Sequence, residues 1–160
     1  MSEKKPVKKA PVKKAAKKPT PKPEIVTRTP FKPPLTKAVI SCPYGKHGEV
    51  WACGWHTGVD YVAPMRTPVY AVAEGRVTAA QWGPAYGIHL VIQHGYHRFI
   101  YAHLDSKQPF KVGQKVHQGQ LIGHSGNTGS KSVGPHLHLE ARVSPFRYAL
   151  DAVEPIGALK

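Results

Sequence analysis

The 160-residue sequence predicts an all-β domain, an antiparallel two-sheet sandwich or barrel-sandwich, carrying a disordered basic tail at its N-terminus. Three observations predict it. Short runs rich in β-branched and aromatic residues recur after Ala38 at roughly 8 to 12 residue spacing, with turn residues between them. Fifteen glycines and sixteen prolines punctuate the chain too often for long helices. The composition also breaks abruptly near Ala38, giving a tail over 1–37 and a folded part over 38–160.

Lys and Arg number 23 against 9 Asp and Glu, a net charge of +14, and 12 of the 23 precede Ala38 with only Glu3 and Glu24 opposing them. The first 37 residues thus carry +10 and the rest +4. Lysine pairs recur from Lys4-Lys5 to Lys17-Lys18, but Pro6 and Pro11 interrupt any helix that would align them, and Pro19, Pro21 and Pro23 end any later one. With few apolar groups and mutual repulsion, nothing offsets the entropy of ordering this segment. Its charge suits a polyanion, either nucleic acid or an acidic polymer of a bacterial envelope, or it is a solubilising linker. No window approaches the ~18 uncharged apolar residues of a membrane-spanning helix. No apolar run follows the basic N-terminus, so a secretory signal peptide is not expected.

The strands expected in order are 56–62, 68–73, 75–81, 88–94, 97–104, 120–124 and 136–143. Each is bounded by turn chemistry: Glu74-Gly75, Gly95-Tyr96, Gly113-Gln114, Gly119 and the run Ser125-Gly126-Asn127-Thr128-Gly129. The ending 149–155 reads as chain closing over the same domain. Cys42 and Cys53 are spaced to permit a loop-closing disulfide, but without a secretion signal they read as reduced thiols, and neither belongs to a C-x-x-C zinc pair.

All ten histidines follow Ala38. His47, His89, His94, His97, His117 and His124 lack a partner at ligand spacing and read as surface or hydrogen-bonded side chains. His136-Leu137-His138 differs, because residues two apart on a strand project to one face, sending both imidazoles one way while Leu137 and Leu139 enter the core. His56 and Asp60, four apart with Gly58 between, also share a face. Two histidines and a carboxylate form the set that a catalytic zinc needs, with one position left open. His103 ends another strand and brings a further imidazole within reach.

The words Trp55-His56-Thr57-Gly58-Val59-Asp60-Tyr61, Thr67-Pro68-Val69-Tyr70-Ala71, Glu74-Gly75-Arg76-Val77, Tyr101-Ala102-His103-Leu104, Val112-Gly113-Gln114-Lys115-Val116, Gly119-Gln120-Leu121-Ile122-Gly123, Ser125-Gly126-Asn127-Thr128-Gly129 and Gly134-Pro135-His136-Leu137-His138-Leu139-Glu140 follow one another in this sequence. Together they resemble the lysostaphin-type (LytM-like) zinc metallopeptidases, which cut peptides of bacterial peptidoglycan. The resemblance implies a two-sheet fold of the duplicated-hybrid-motif type with a groove holding one Zn2+. It implies His56, Asp60 and His138 as the metal ligands, and His136 and His103 as the catalytic pair. His136 is expected to take a proton from water and pass it to the leaving amine, while His103 orients the water or holds the oxyanion; the two roles are interchangeable at this level. One departure is visible: some members place a tyrosine shortly before the first ligand, where this chain has Trp51 and Trp55, with Tyr44 further upstream.

The expected activity is hydrolysis of stem peptides or cross-bridges by a monomer, with peptidoglycan as substrate and the basic tail on anionic wall polymers. Nucleic acid is not the expected partner. A small wall hydrolase without an export signal resembles a bacteriophage endolysin, kept in the host cytoplasm until its release to the wall. The zinc motif does not choose the peptide; loops walling the groove do, and the segments 82–86 and 107–110 are the candidates. Three other readings compete. A catalytically weak wall-binding or amidase-activator module would share the fold but tends to lose ligands. A biotinyl-type carrier needs a lysine displayed on a hairpin. A histone-like binder leaves the His/Asp constellation unexplained.

Overall fold

The computed structural model describes residues 30–155, which contain ten strands and no helix. The strands are β1 (Ile40–Cys42), β2 (Gly58–Val62), β3 (Pro68–Tyr70), β4 (Gly75–Gly83), β5 (Gly87–His94), β6 (His97–Leu104), β7 (Lys115–Val116), β8 (Leu121–His124), β9 (His136–Val143) and β10 (Ala152–Val153). β1, β2, β9, β6, β5, β4 and β7 pair in that order in one antiparallel sheet, and β10 continues along β9. β3 and β8 form a separate two-stranded ribbon. The seven expected strands all occur. The three not expected, β1, β7 and β10, are two or three residues long, too short to display an alternation.

The core lies between the large sheet and the ribbon with its flanking loops. Val59, Tyr61, Leu137, Leu139, Phe99, Tyr101, Leu90, Ile92 and Val116 descend from the sheet onto Val69, Val72 and Ile122. In β9 the alternation is direct: Leu137 and Leu139 point into this core, so His136, His138 and Glu140 occupy the opposite face. The candidate site is therefore on the side of the sheet away from the apolar core.

Residues 30–37, assigned by composition to the tail, lie on the fold. Leu35 is buried in the core, and Phe31 packs edge-on against Phe99 at 4.9 Å between ring centroids. The strap is tied by backbone bonds from Lys32 N to Val72 O and from Tyr70 N to Pro34 O, both 2.8 Å. Two apolar anchors suffice to hold a proline-rich extended segment that needs no helix or sheet of its own. The rest of the expected tail lies outside the described residues.

The two layers also share a polar bond. Tyr101, wholly buried in β6, accepts a hydrogen bond on its hydroxyl from Val72 N at 2.9 Å. Tyr101→Phe leaves that buried N–H without its acceptor, and equilibrium denaturation should show a loss of about 1–3 kcal/mol.

Candidate active site

The β2–β9 register sets Asp60 opposite His138, Gly58 opposite Glu140 and Val62 opposite His136. Directly paired residues share a face, so the acid of one strand meets the imidazole of the other. Asp60 Oδ1 lies 2.8 Å from His138 Nδ1, and His56, two residues before β2, places Nε2 3.1 Å from each of those atoms. Tetrahedral zinc bound at ~2.0–2.1 Å needs donors about 3.3 Å apart, so this triangle fits one ion. Cys42 Sγ joins His56 and Asp60 in a looser group whose donors lie within 4.8 Å of one another. Burial and the neighbouring Asp60 carboxylate push the Cys42 thiol up, keeping it protonated, and the His–Asp–His triangle is the tighter set. Both Cys42 and Cys53 are free thiols.

Gly58 makes room for the triangle. A Cβ there would stand 2.5 Å from Leu139 O and 2.7 Å from His138 Cε1, so any side chain would displace the imidazole.

His103 reaches the site through a bulge. Leu90 pairs with Tyr101 and Ile88 with Leu104, so β6 carries one residue more than β5 across this interval. His103 takes the left-handed conformation, φ 59°, uncommon for a residue with a side chain. The alternation breaks there, and His103 joins the cavity instead of following Tyr101 into the core. Its ring centroid lies 4.7 Å from that of His136. The turn 125–129 supports it: Ser125 bridges to Leu104, Gly126 to His136, and Thr128 O meets His103 Nδ1 at 2.7 Å. Gly87, at φ 62°, lets that turn approach, since a Cβ there would strike the Thr128 backbone.

Main-chain carbonyls fix three tautomers. His56, His103 and His136 each hold Nδ1 against a carbonyl oxygen, that of Pro43 at 3.0 Å, Thr128 at 2.7 Å and Gly134 at 2.8 Å. A carbonyl only accepts, so each Nδ1 carries the proton and, in the neutral ring, each Nε2 is left as a bare acceptor. His136 Nε2 lies 3.8 Å from Asp60 Oδ1.

Charge within the site is compensated group by group. Burial pushes His103 down to about 4, against the hydrogen bond that its Nδ1–H donates to Thr128 O, so it is neutral at ordinary pH. Burial opposes a charged His138 as well, but the hydrogen-bonded Asp60 carboxylate and the neighbouring Glu140 carboxylate outweigh it and raise the group to about 9. Burial also opposes the Asp60 carboxylate, yet His138 and His56 hold it well below the usual range. Glu140 is held at about 2: burial is overcome by His138 and by the Arg142 guanidinium.

The cavity over these groups is about 300 Å³, the lower end for a ligand pocket. Its walls include Val50, Trp51, Lys131 and Tyr148. Trp51 stacks on His56 with centroids 5.0 Å apart, and Lys131 Nζ donates to Val50 O at 2.9 Å, joining two wall loops. Of the expected wall segment 82–86 only Ala85 and Tyr86 line the cavity, and Trp82 is exposed elsewhere. The segment 107–110 is not a wall, because Phe110 packs against the core. All five expected site residues line the cavity, and His47, His89, His94, His97, His117 and His124 do not. Lys131, Tyr148 and the neighbouring Cys42 carry no signal in the sequence as members of the site, whereas Trp51 stands out only as the aromatic ahead of the first ligand and Tyr86 only within the wall segment 82–86.

These shifts predict the pH dependence of the metal-free chain. The raised His138 group contributes stability fully present below its ordinary 6.5 and lost as pH rises through about 9. The lowered His103 acts in the other direction, its contribution lost as pH falls from 6.5 through about 4. Thermal melts of chelator-treated protein should peak near pH 6.5, and a flat curve from there to pH 9 would exclude the His138 proton.

Residues 54–152 match the model of peptidase family M23. The chain is 42% identical over 110 residues to lysostaphin of Staphylococcus simulans, covering 67% of this chain and 22% of that protein. Against peptidoglycan DD-endopeptidase ShyA of Vibrio cholerae it is 49% identical over 86 residues, covering 53% of this chain and 20% of the relative. It thus spans about a fifth of the length of these curated relatives. The crystallised lysostaphin catalytic domain superposes with TM-score 0.70 at 36% identity, covering 76% of this chain and 92% of that one. The catalytic domain of the prophage-encoded M23 protein EnpA from Enterococcus faecalis, solved as a mutant, gives 0.65 at 32% identity, covering 78% and 95%.

Proposed function

Because the chain belongs to peptidase family M23, we propose that it is a zinc-dependent endopeptidase hydrolysing peptide bonds of bacterial peptidoglycan, in stem peptides or cross-bridges. The observation that carries this reading is the triangle of His56, Asp60 and His138 donors, with the bare Nε2 atoms of His103 and His136 facing the same cavity. The names of the relatives support the substrate: one is lysostaphin, another a peptidoglycan DD-endopeptidase.

His56 Nε2, Asp60 Oδ1 and His138 Nδ1 would hold the ion. Bound there, zinc supplies Lewis-acid polarisation of the scissile carbonyl and brings the pKa of a water towards ~7. The protein's own groups handle the proton. His136 Nε2 accepts it from the attacking water and returns it to the departing amine. His103, neutral with Nδ1–H on Thr128 O, first acts as an acceptor that orients the water. It can donate to a developing oxyanion only after taking up a proton, so orientation precedes any oxyanion contact. Trp51 over His56 and Tyr86 beside His138 limit the entry of other waters.

We extend the reading to phage-induced host lysis, the protein acting as a monomer and held in the host cytoplasm until it is released to the wall. The likeness to a prophage-encoded relative supports this. The +10 of residues 1–37 suits anionic wall polymers, an attraction that should fade as salt approaches a few tenths molar.

Turbidity and released amines, measured on purified walls of several types, test the proposal. The wild type should lose activity with chelator and regain it with zinc, and His138→Ala should bind no stoichiometric zinc. His136→Ala should keep its zinc and lose ~10²- to 10⁴-fold in kcat. A zinc-loaded wild type that frees no amine from any wall would leave a wall-binding or amidase-activator module instead.

A further inference from the structure

His138 is oriented differently from the other site histidines. His56, His103 and His136 anchor Nδ1 on main-chain carbonyls. His138 directs Nδ1 to Asp60 and His56, and its Nε2 is buried with no hydrogen-bond partner. Facing that nitrogen is Glu140 Oε2 at 3.5 Å, two residues along the same face of β9.

Glu140 is wholly buried and firmly held. Its Oε2 accepts from Thr57 Oγ1 at 2.9 Å and Tyr86 OH at 2.6 Å, and its Oε1 from Arg142 Nε at 2.5 Å. Arg142 Nη2 in turn donates to Tyr86 OH at 2.9 Å, closing the network. Burying a carboxylate and a guanidinium is costly, and apolar residues of similar volume would serve packing as well. The three donors fix the carboxylate where it meets the one site imidazole that lacks a backbone anchor. In metal centres, partners of this kind set the tautomer and orientation of a ligating histidine.

We propose that Glu140 is a positioning residue for His138: its carboxylate, fixed by Thr57, Tyr86 and Arg142, receives Nε2–H and so commits Nδ1 to the metal. The proposal rests on the metal-site reading above. Tyr86 both lines the cavity and holds Glu140, so whatever fills the groove packs against a member of this network.

The test is zinc affinity of the full chain by chelator competition, in wild type, Glu140→Gln, and the double variant Glu140→Leu with Arg142→Leu. The double variant removes both charges together, so that neither is left buried alone if the single variant fails to fold. Each folded variant should bind zinc about ten- to a hundredfold more weakly while retaining a cooperative melt. The zinc-loaded wild type should show a slowly exchanging, downfield His138 Nε2–H proton that both variants lose. If the wild type takes up no zinc, the metal-centre reading itself fails. If it does, and the double variant binds within twofold of it, the positioning role of Glu140 is overturned.

Discussion

Asp60 and His138 face each other across β2 and β9, and the rest of the site depends on that pairing. A strand has a period of two, so a slip of one residue would send His136, His138 and Glu140 into the core and expose Leu137 and Leu139. The register is thus enforced from the apolar side. Val59 and Tyr61 on β2, and Leu137 and Leu139 on β9, are all buried in one cluster. The hydrophobic term that folds the sheet is the same term that aligns the polar atoms on its other face, and the site needs no separate energy to find its geometry.

Those polar atoms are gathered under loops and largely withdrawn from water. Isolated, such charges would be prohibitive. Here each has a named opposite: Asp60 has His138 and His56, and Glu140 has Arg142, Tyr86 and Thr57. His103 lacks a carboxylate contact of this kind, and burial keeps it neutral. The raised His138 group sets a positive charge against the Asp60 carboxylate, and a metal ion held there would take over that role.

Much of this is legible in the amino-acid sequence. The His-Leu-His-Leu alternation of β9 separates site from core in four letters, and His56 and Asp60 declare the facing element. What stays hidden arises from contacts distant along the chain. The bulge at His103 depends on the mismatch between β5 and β6, which no local pattern records. The strap at 30–37 resembles the lysine- and proline-rich segment before it, and only Phe31 and Leu35 mark its different fate. The groove walls are harder still: Val50 and Lys131 meet across 81 positions of chain, whereas the 107–110 segment turns its Phe110 inward.

The carbonyl anchors of three histidines have an evolutionary corollary. Peptide oxygens at Pro43, Thr128 and Gly134 are present whatever side chain those positions encode, provided the backbone path is kept. Drift at those codons can therefore leave the tautomers of His56, His103 and His136 untouched. His138 has no such insurance, because its outward nitrogen looks to a side chain. Robustness to mutation is unevenly distributed around one cavity, and the fragile corner is the one built entirely from replaceable parts.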